Sequence, residues 1–436
     1  MLELKVLSKR IGPVRGRHPW VFSGALQRIP DGIESGAPIQ LVDETGRFLA
    51  SGYFNSYSQI AVRVWGWQEG EEVDEGFFIK RIKAAFELRR DFILDKKTNA
   101  CRIINSESDL LPGLIVDKYG DYLVAQFHNR GIDKWKKEIV GALVKVLKPK
   151  GIYERSDVGN RAKEPYLAIP TMPTGRQAQA GAQPFVILSE AKDPSRSLRD
   201  SSVTPQNDNT TGILFGKIPE RVTITENGYK FSVDIIGGQK TGFFLDQRDK
   251  RLALQKYCVG KNVLNCFSYT GGFSVYALGA GAKKVVSVDT SQPALDLAQE
   301  NFKLNKLDLK KCDFINEDVK SYLNNLTIQQ FNNFQVIILD PPAFIKDRHK
   351  IYEGVQGYKK INEAAMRLLP SGGILVSCSC SQHLPLTDFR HIISESAGRA
   401  GRTVQILETL THGIDHPQLA AFTEGEYLKC LIAKVM

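Results

Sequence analysis

The sequence predicts an α/β protein whose C-terminal half forms a doubly wound, mostly parallel sheet. From about residue 237, apolar strand-like runs alternate with helical patterns, as in a parallel sheet with helices on both faces. Residues 1–70 instead hold short strand-like runs separated by glycine and polar breaks, and residues 74–236 mix helices and strands. We therefore predict three domains, at 1–70, 74–236 and 237–436: a small β-rich domain, an α+β middle domain and the α/β domain.

The N-terminal module combines strand-like runs such as "PIQLVDE" and "QIAVRVWG" with a concentration of positive charge. The whole chain has 58 Lys and Arg against 48 Asp and Glu, a net charge of +10, which favours an anionic partner such as nucleic acid. Within the first twenty residues only Glu3 opposes the basic side chains. The residues that we predict to contact nucleic acid here are Lys9, Arg10, Arg15 and Arg17.

The middle section is predicted to contain a helix from Asp74 to Leu94 and two strands joined by a turn at Tyr119–Gly120. An amphipathic helix and a third strand, "GIYERS", follow. Residues 168–212 are rich in Pro, Ser, Gln, Asp and Gly and are predicted to be an inserted, largely flexible loop. This loop is either an arm that contacts RNA or regulates the protein, or a tolerated insertion. A hairpin with its turn at Asn227–Gly228 comes next.

The cysteines indicate a reducing compartment. There are seven, an odd number, and they are scattered without a disulfide framework or the spacing that zinc needs. His383 and His391 lack a third ligand at a suitable spacing, so we predict no metal site. No apolar run of about 18 residues occurs, and the N-terminus is too charged for a signal peptide. We predict a cytoplasmic protein without a membrane partner.

The residues after each predicted strand matter most, because ligands of doubly wound sheets bind beyond the carboxyl ends of the strands. In "CFSYTGGFS", Gly271 and Gly272 allow a tight turn close to a ligand, although the GxGxxG dinucleotide signature is absent. Asp289 follows the second strand and suits either a ribose diol or the cap of the next helix. Asp318 is either an acceptor for an adenine amino group or a solvated loop residue.

Two further strand ends carry reactive side chains. Asp340 begins "DPPAF", where Pro341 and Pro342 keep the following backbone extended, so its rigid carboxyl suits the edge of a planar substrate. Cys378 and Cys380 end the next strand in "SCSCSQHL" and would share one face of a continuing strand. A thiol pair at this place is either catalytic or buried as small hydrophobic side chains.

In this order, these motifs resemble class I S-adenosylmethionine-dependent methyltransferases. The segments "GQKTGFFLDQRDKR", "VDTSQPALDLAQENFKLN", "LDPPAF", "SCSCSQHL" and "EGEYLKC" resemble the bacterial 23S rRNA cytosine-5 methyltransferase family, whose N-terminal PUA domain is mirrored by "RGRHPWVFSGAL". The resemblance covers nearly the whole chain except about 168–212. It implies a Rossmann-like methyltransferase domain, an RNA-binding PUA domain, S-adenosylmethionine (SAM) as cofactor, and 23S rRNA or a large-subunit assembly intermediate as partner. The oligomeric state is open, a homodimer included.

The resemblance also gives the cysteine a task. Carbon 5 of cytosine is a poor nucleophile, and a thiolate that adds to carbon 6 activates it. The family motif aligns with Cys380 rather than Cys378 as nucleophile, Asp340 suits a proton at N3, and Glu424 or its neighbour Glu426 suits removal of the carbon 5 proton. Other RNA cytosine-5 enzymes carry a second cysteine where this chain has Ala343 and Phe344, so uracil stays open as the target. A guanine methyltransferase and a non-catalytic assembly factor are the alternatives.

Further contacts follow from the same resemblance. Gln247 and Arg248 are expected near either the cofactor or the RNA backbone, and the resemblance implies the cofactor; we assign Gln247 to the cofactor and Arg248 to the RNA backbone. The predicted cofactor contacts occupy the strand ends and the segment before the sheet: Phe267, Tyr269, Thr270, Gly271, Gly272, Asp289, Asp318, Asp340 and Gln247.

Overall fold

A computed structural model describes residues 1–157, 210–326 and 333–436, so residues 168–209 of the predicted insertion lie outside the described residues. The N-terminal domain is a five-stranded sheet of order β1-β3-β4-β5-β2, with β1 parallel to β3. Its elements are β1 (Leu2–Lys5), α1 (Ile11–Arg15), β2 (Trp20–Phe22), β3 (Pro38–Val42), β4 (Phe48–Phe54) and β5 (Ile60–Gly66). The sequence pattern predicted neither α1 nor β2, because both are too short to show a periodicity.

The middle domain packs two helices against a second sheet, of order β10-β9-β8-β7-β6. Asp74 caps the first helix by accepting from the Phe77 N–H, and the turn after β7 falls at Gly120–Asp121, one residue later than predicted. Tyr53 and Trp65 of the N-terminal sheet are buried in the same apolar cluster, which joins the two domains. The elements are α2 (Glu75–Phe92), β6 (Ala100–Asn105), β7 (Leu114–Tyr119), β8 (Tyr122–Phe127), α3 (Arg130–Asp133), α4 (Lys136–Leu147), β9 (Gly151–Arg155) and β10 (Thr211–Gly216).

A hairpin leads into the C-terminal domain, with its turn at Asn227–Gly228 as predicted; both residues have positive φ. Its strands are β11 (Val222–Glu226) and β12 (Tyr229–Val233). The domain is a seven-stranded sheet of order β15-β14-β13-β16-β17-β19-β18, in which the first five strands are parallel. β19 runs antiparallel to both β17 and β18. The predicted α/β fold class is confirmed.

The helices of this domain cover both faces of the sheet. The strands are β13 (Asn262–Cys266), β14 (Lys284–Asp289), β15 (Cys312–Asn316), β16 (Val336–Leu339), β17 (Gly373–Ser379), β18 (Val404–Leu410) and β19 (Lys429–Val435). The helices are α5 (Arg248–Cys258), α6 (Gly272–Gly279), α7 (Gln292–Leu304), α8 (Val319–Asn325), α9 (Ile351–Leu368) and α10 (Leu386–Arg399). Within the described ranges, none of the helices combines the length and the apolar character needed to cross a membrane.

Candidate active site

The carboxyl ends of the central parallel strands meet at one edge of the sheet. Cys266, the last residue of β13, is in register with Val288 of β14 and Leu339 of β16, and Leu339 is in register with Ser377 of β17. The strand order reverses between β13 and β16, which is where such sheets open a ligand crevice. The loops after these strands carry most of the predicted site residues.

The loop after β13 has an unusual backbone that is fixed from two sides. Phe267, Tyr269 and Gly271 have φ of 60°, 47° and 75°. A Cβ on Gly271 would lie 2.9 Å from the Cβ of Ala298, so glycine is needed both for its φ and for the close approach of α7. The Tyr269 N–H donates to Asp289 Oδ2 at 2.8 Å. The backbone of this loop is therefore fixed at the sheet edge, where ligands of such sheets bind.

The two acids predicted for the cofactor are also engaged with the backbone. Asp289 Oδ1 accepts from the Ser291 N–H at 3.0 Å, so this half-buried carboxylate both fixes the loop and supports the start of α7. Asp318 is exposed and caps α8 by accepting from the Ser321 N–H at 3.0 Å. Each carboxylate retains lone pairs for a ligand donor. Thr270 is buried, and its carbonyl accepts from the side chain of Asn301.

The donor and acceptor set fits SAM, whose ammonium, ribose hydroxyls and adenine amino group are all donors. Besides the two carboxylates, Ser268 Oγ and Gln247 Oε1 are buried acceptors with no hydrogen-bond partner in the described part of the chain. Buried polar atoms of this kind are rare unless a ligand or water completes them. Asp289, Asp318, Ser268 and Gln247 would thus hold the cofactor beside the loop after β13.

Asp340 lies across the crevice, and its environment favours the protonated form. Burial raises the pKa of Asp340 to about 6, and the negative charge of Asp246 adds to this effect. Its Oδ1 accepts from Gln247 Nε2 at 2.8 Å. Burial also acts against the charge on Asp246, but Lys240, His416 and Tyr427 outweigh it and hold the pKa of Asp246 well below the usual range. The two acids thus differ in their affinity for a proton, since the pKa of Asp340 is raised and that of Asp246 is lowered.

The two cysteines that end β17 have different surroundings. Cys378 is fully buried and is in register with Cys430 of β19; the Cys430 contact and burial raise its pKa well above the usual range. Cys380 lies just beyond the strand, is half-buried, and its Sγ approaches the Pro341 carbonyl at 3.9 Å. Of the seven cysteines in the chain, all of which are described, Cys380 alone is not buried.

The charges around Cys380 shift the pKa of its thiol in opposite directions. Burial raises the pKa of its thiol to about 11, and the charges of Asp340 and Asp246 act in the same direction, whereas Lys240 lowers it. The backbone here is fixed by buried side chains that the sequence analysis did not single out. Tyr358 Oη is hydrogen-bonded to Ser379 Oγ and Ser381 Oγ, and Lys429 Nζ donates to the Ser381 carbonyl at 2.8 Å.

Glu424 connects the site to the N-terminal domain. Its carboxylate pairs with His18 Nε2 at 3.3 Å, and its carbonyl accepts from the side chain of Gln382, two residues after Cys380. Next to this contact, the rings of Trp20 and Phe422 pack edge to face with centroids 4.7 Å apart. The predicted base thus lies at the junction of two domains, a position for which the sequence held no signal.

The four predicted basic residues of the N-terminal domain, Lys9, Arg10, Arg15 and Arg17, are all exposed. Arg248 is different. Its guanidinium is buried, is ion-paired with the buried carboxylate of Asp415, and donates to the Ala100 carbonyl of the middle domain. A buried, neutralised guanidinium offers no surface to a phosphate, so we assign Arg248 to the domain interface and correct its predicted contact with RNA.

Comparison with known proteins identifies the family. Residues 200–432 match the model for S-adenosylmethionine-dependent methyltransferases, and residues 4–67 match a PUA-like domain. The ribosomal RNA large subunit methyltransferase I of Tolumonas auensis is 39% identical over 422 residues, 96% of each chain. The protein of the same name from Vibrio vulnificus is 40% identical over 423 residues, 96% of each chain. This chain belongs to the ribosomal RNA large subunit methyltransferase I family.

Solved structures agree with the fold. SMU.776, described as a methyltransferase in complex with SAH, superposes with a TM-score of 0.79 at 23% identity, and each chain is covered completely. A structure described as a SAM-dependent methyltransferase from Streptococcus mutans gives a TM-score of 0.77 at 23% identity, again over both whole chains. Membership of this family confirms the predicted SAM dependence and the PUA-like domain.

Proposed function

We propose that this protein methylates carbon 5 of a cytosine in 23S rRNA, with Cys380 as a covalent nucleophile. The observation that carries the proposal is the position of Cys380, the one cysteine that is not buried, at the sheet edge beside Asp340 and Pro341. The names of the relatives support a large-subunit ribosomal RNA as the substrate, either free or within an assembly intermediate.

Each residue of the site has a separate role in the proposed reaction. The Cys380 thiolate forms a bond to carbon 6, and the electron pair of the 5,6 double bond moves towards N3, which takes a proton from Asp340. A carboxyl with a pKa of about 6 holds and releases a proton near neutral pH, which suits this task. SAM, when bound, supplies an electrophilic methyl group. Once carbon 5 carries the methyl group, Glu424 removes the carbon 5 proton, the 5,6 double bond re-forms as the bond between carbon 6 and sulfur breaks and releases the thiolate, and N3 returns its proton to Asp340.

The N-terminal domain holds the RNA while the target base is flipped into the crevice. Lys9, Arg10, Arg15 and Arg17 present their charges to solvent, and such side chains bind phosphates without reading sequence. Arg17 also lies 5.5 Å from the centroid of the Trp67 ring. Because Glu424 pairs with His18 of the same domain, RNA held there lies next to the proposed base.

The test is nucleoside mass spectrometry of rRNA treated with isotopically labelled SAM. Wild type and Cys378→Ala should produce labelled 5-methylcytidine, and Cys380→Ala should not. Cys430→Ala is a matched control, because it removes the buried thiol opposite Cys378. RNA that contains 5-fluorocytidine should form a denaturation-resistant adduct with wild type and not with Cys380→Ala, since fluorine replaces the proton that must leave.

Other results would contradict the proposal. Label in 5-methyluridine would move the target to uracil, label in a guanine would favour the guanine methyltransferase, and no label with tight RNA binding would favour an assembly factor. Labelled 5-methylcytidine from Cys380→Ala would exclude the covalent role of this thiol.

A further inference from the structure

Asp246 has a buried carboxylate oxygen that the protein leaves without a partner. The residue lies in a 3₁₀ turn, Leu245–Gln247, directly before α5 and is 3% exposed. Its Oδ2 accepts from Lys240 Nζ at 2.8 Å and from Tyr427 Oη at 2.7 Å, whereas Oδ1 has no hydrogen-bond partner in the described part of the chain. Leaving such an oxygen unpaired is costly, so a donor from outside the chain is expected there.

One series of contacts connects Asp246 with Asp340 and the thiol. Asp246 is followed by Gln247, whose Nε2 donates to Asp340 Oδ1 at 2.8 Å. Pro341 comes directly after Asp340, and its carbonyl oxygen lies 3.9 Å from Cys380 Sγ. Asp246 is therefore one side chain away from the acid that is proposed to protonate N3.

A second series of contacts runs from Asp246 to the other side of the thiol. Tyr427 Oη donates to Asp246, and the Tyr427 carbonyl accepts from Lys429 Nζ at 3.1 Å. The same ammonium donates at 2.8 Å to the carbonyl of Ser381, the residue after Cys380. The two series form one closed ring of contacts, so the unpartnered oxygen belongs to the same site as the proposed proton donor and nucleophile.

The two acids of this ring complement the edge of cytosine. Cytosine has an acceptor at N3 and a donor in its 4-amino group, whereas uracil has a donor at N3 and an acceptor at O4. Burial raises the pKa of Asp340 to about 6, so its carboxyl can donate to N3. Asp246 can only accept, because its cationic neighbours and the Tyr427 bond outweigh burial and hold its pKa well below the usual range. This pair opposes uracil at both positions.

We propose that Asp246 Oδ1 accepts a hydrogen bond from the 4-amino group of the target base, and that this contact selects cytosine over uracil. The inference rests on the proposed function, because it concerns the same base in the same site. Gln247 Oε1 stays assigned to the cofactor, so the two unpartnered oxygens serve different ligands. Asp246 keeps its bonds to Lys240 and Tyr427 throughout and exchanges no proton with the base.

Asp246→Asn tests the proposal in a defined direction. Lys240 Nζ and Tyr427 Oη are both donors, so the new amide oxygen must take the place of Oδ2 and the amide nitrogen that of Oδ1. The acceptor for a 4-amino group thereby becomes a donor, which suits O4 of uracil. A buried donor that faces another donor should lower kcat/KM for cytosine by roughly tenfold to a hundredfold.

The assay compares two synthetic RNAs that differ only in the base at the methylated position, cytidine in one and uridine in the other. Mass spectrometry of rRNA treated with wild type and labelled SAM first locates that position. Wild type should prefer the cytidine RNA by at least about a hundredfold in kcat/KM. Asp246→Asn should lose activity on the cytidine RNA and gain activity on the uridine RNA, so that the ratio of the two values falls.

Matched variants separate selection of the base from general damage. Asp296→Asn makes the same chemical change at an exposed position of α7 and should leave both values unchanged. Tyr427→Phe removes one donor from Oδ2 and leaves Oδ1 in place, so it should keep the preference for cytidine even where its rates fall. If Asp246→Asn does not fold, the double variant with Lys240→Met, which also removes the ammonium left without its counter-charge, takes its place in the assay.

An unchanged ratio in folded Asp246→Asn would overturn the inference, and so would an equal loss on both RNAs, which a purely structural role predicts. Methylation of the uridine RNA by wild type would overturn it together with the proposed function. The two can also fail separately: 5-methylcytidine formed by Cys380→Ala would remove the catalytic role of the thiol and leave the selection by Asp246 standing.

Discussion

Replacement of Asp340 by asparagine should stabilise the protein while it abolishes methylation. The pKa of Asp340 is about 6 in the folded chain, because of burial and the charge of Asp246, against 3.8 for an ordinary aspartate. Between these two values the folded protein binds a proton that the unfolded chain has released. The contribution of Asp340 to the free energy of unfolding is therefore fully present below about pH 4 and is lost as the pH rises through 6.

The magnitude follows from the difference in pKa. A difference of about two pH units corresponds to roughly 3 kcal/mol, and because the side chain is only half-buried we take about 2 kcal/mol. Because protonation of Asp340 is linked to folding, its ionisation destabilises the folded chain by the full amount at pH 8 and by about half of that amount at pH 5. Asparagine carries no charge and still accepts the bond from Gln247 Nε2, so Asp340→Asn should gain about 2 kcal/mol at pH 8 and about 1 kcal/mol at pH 5.

Calorimetric unfolding of wild type and variant at both pH values measures this difference. Asp31→Asn, which removes an exposed carboxyl in the N-terminal domain, is the control and should change the melting temperature at neither pH. A variant that is no more stable than wild type at pH 8, or that gains equally at pH 5 and pH 8, would refute the reasoning.

Three further changes have defined outcomes. Gly271→Ala should lower the free energy of unfolding by about 1–3 kcal/mol, because the residue has a positive φ and its Cβ would crowd Ala298. Calorimetry should show both a lower melting temperature and a weaker affinity for SAM. Glu226→Gln should cost about 3–5 kcal/mol in a denaturant titration, because it leaves the buried guanidinium of Arg251 without its bidentate partner. Arg17→Ala should weaken RNA binding at every sequence and reduce the salt slope of log affinity by about one, whereas an unchanged slope would exclude a phosphate contact.

The strand ends could be predicted because their signals are local. Asp289 and Asp340 each follow an apolar run, and parallel pairing brings such positions to one edge whatever the rest of the chain does. Lys429 belongs to a different case. It reaches the site only because β19 returns antiparallel beside β17, and no pattern around residue 429 announces that pairing. Side chains that reach the site through pairing of strands far apart in the sequence are therefore the ones that a single sequence does not predict.

Arg248 shows why charge alone misleads. The segment "DQRDKR" is so polar that solvent exposure is the natural expectation, yet the side chains of Arg248, Lys250 and Arg251 are all buried. The two arginines pair with Asp415 and Glu226, which come from other parts of the chain, and burial of a guanidinium becomes acceptable only when such partners are present. A basic run is thus evidence for an anionic partner, but that partner can be the protein itself.

The thiol pair illustrates how a single strand boundary divides two chemically identical side chains. Alternation along a strand would give Cys378 and Cys380 the same surroundings, but β17 ends at Ser379, so the rule applies to the first cysteine and not to the second. Ser379 and Ser381 are tied to the Tyr358 hydroxyl, and Cys380 is thereby turned towards Pro341 while Cys378 stays in the core against Cys430. A Tyr358→Phe variant removes the hydroxyl that sets this boundary. If the argument holds, iodoacetamide should then lose its preference for Cys380 even though both thiols are intact.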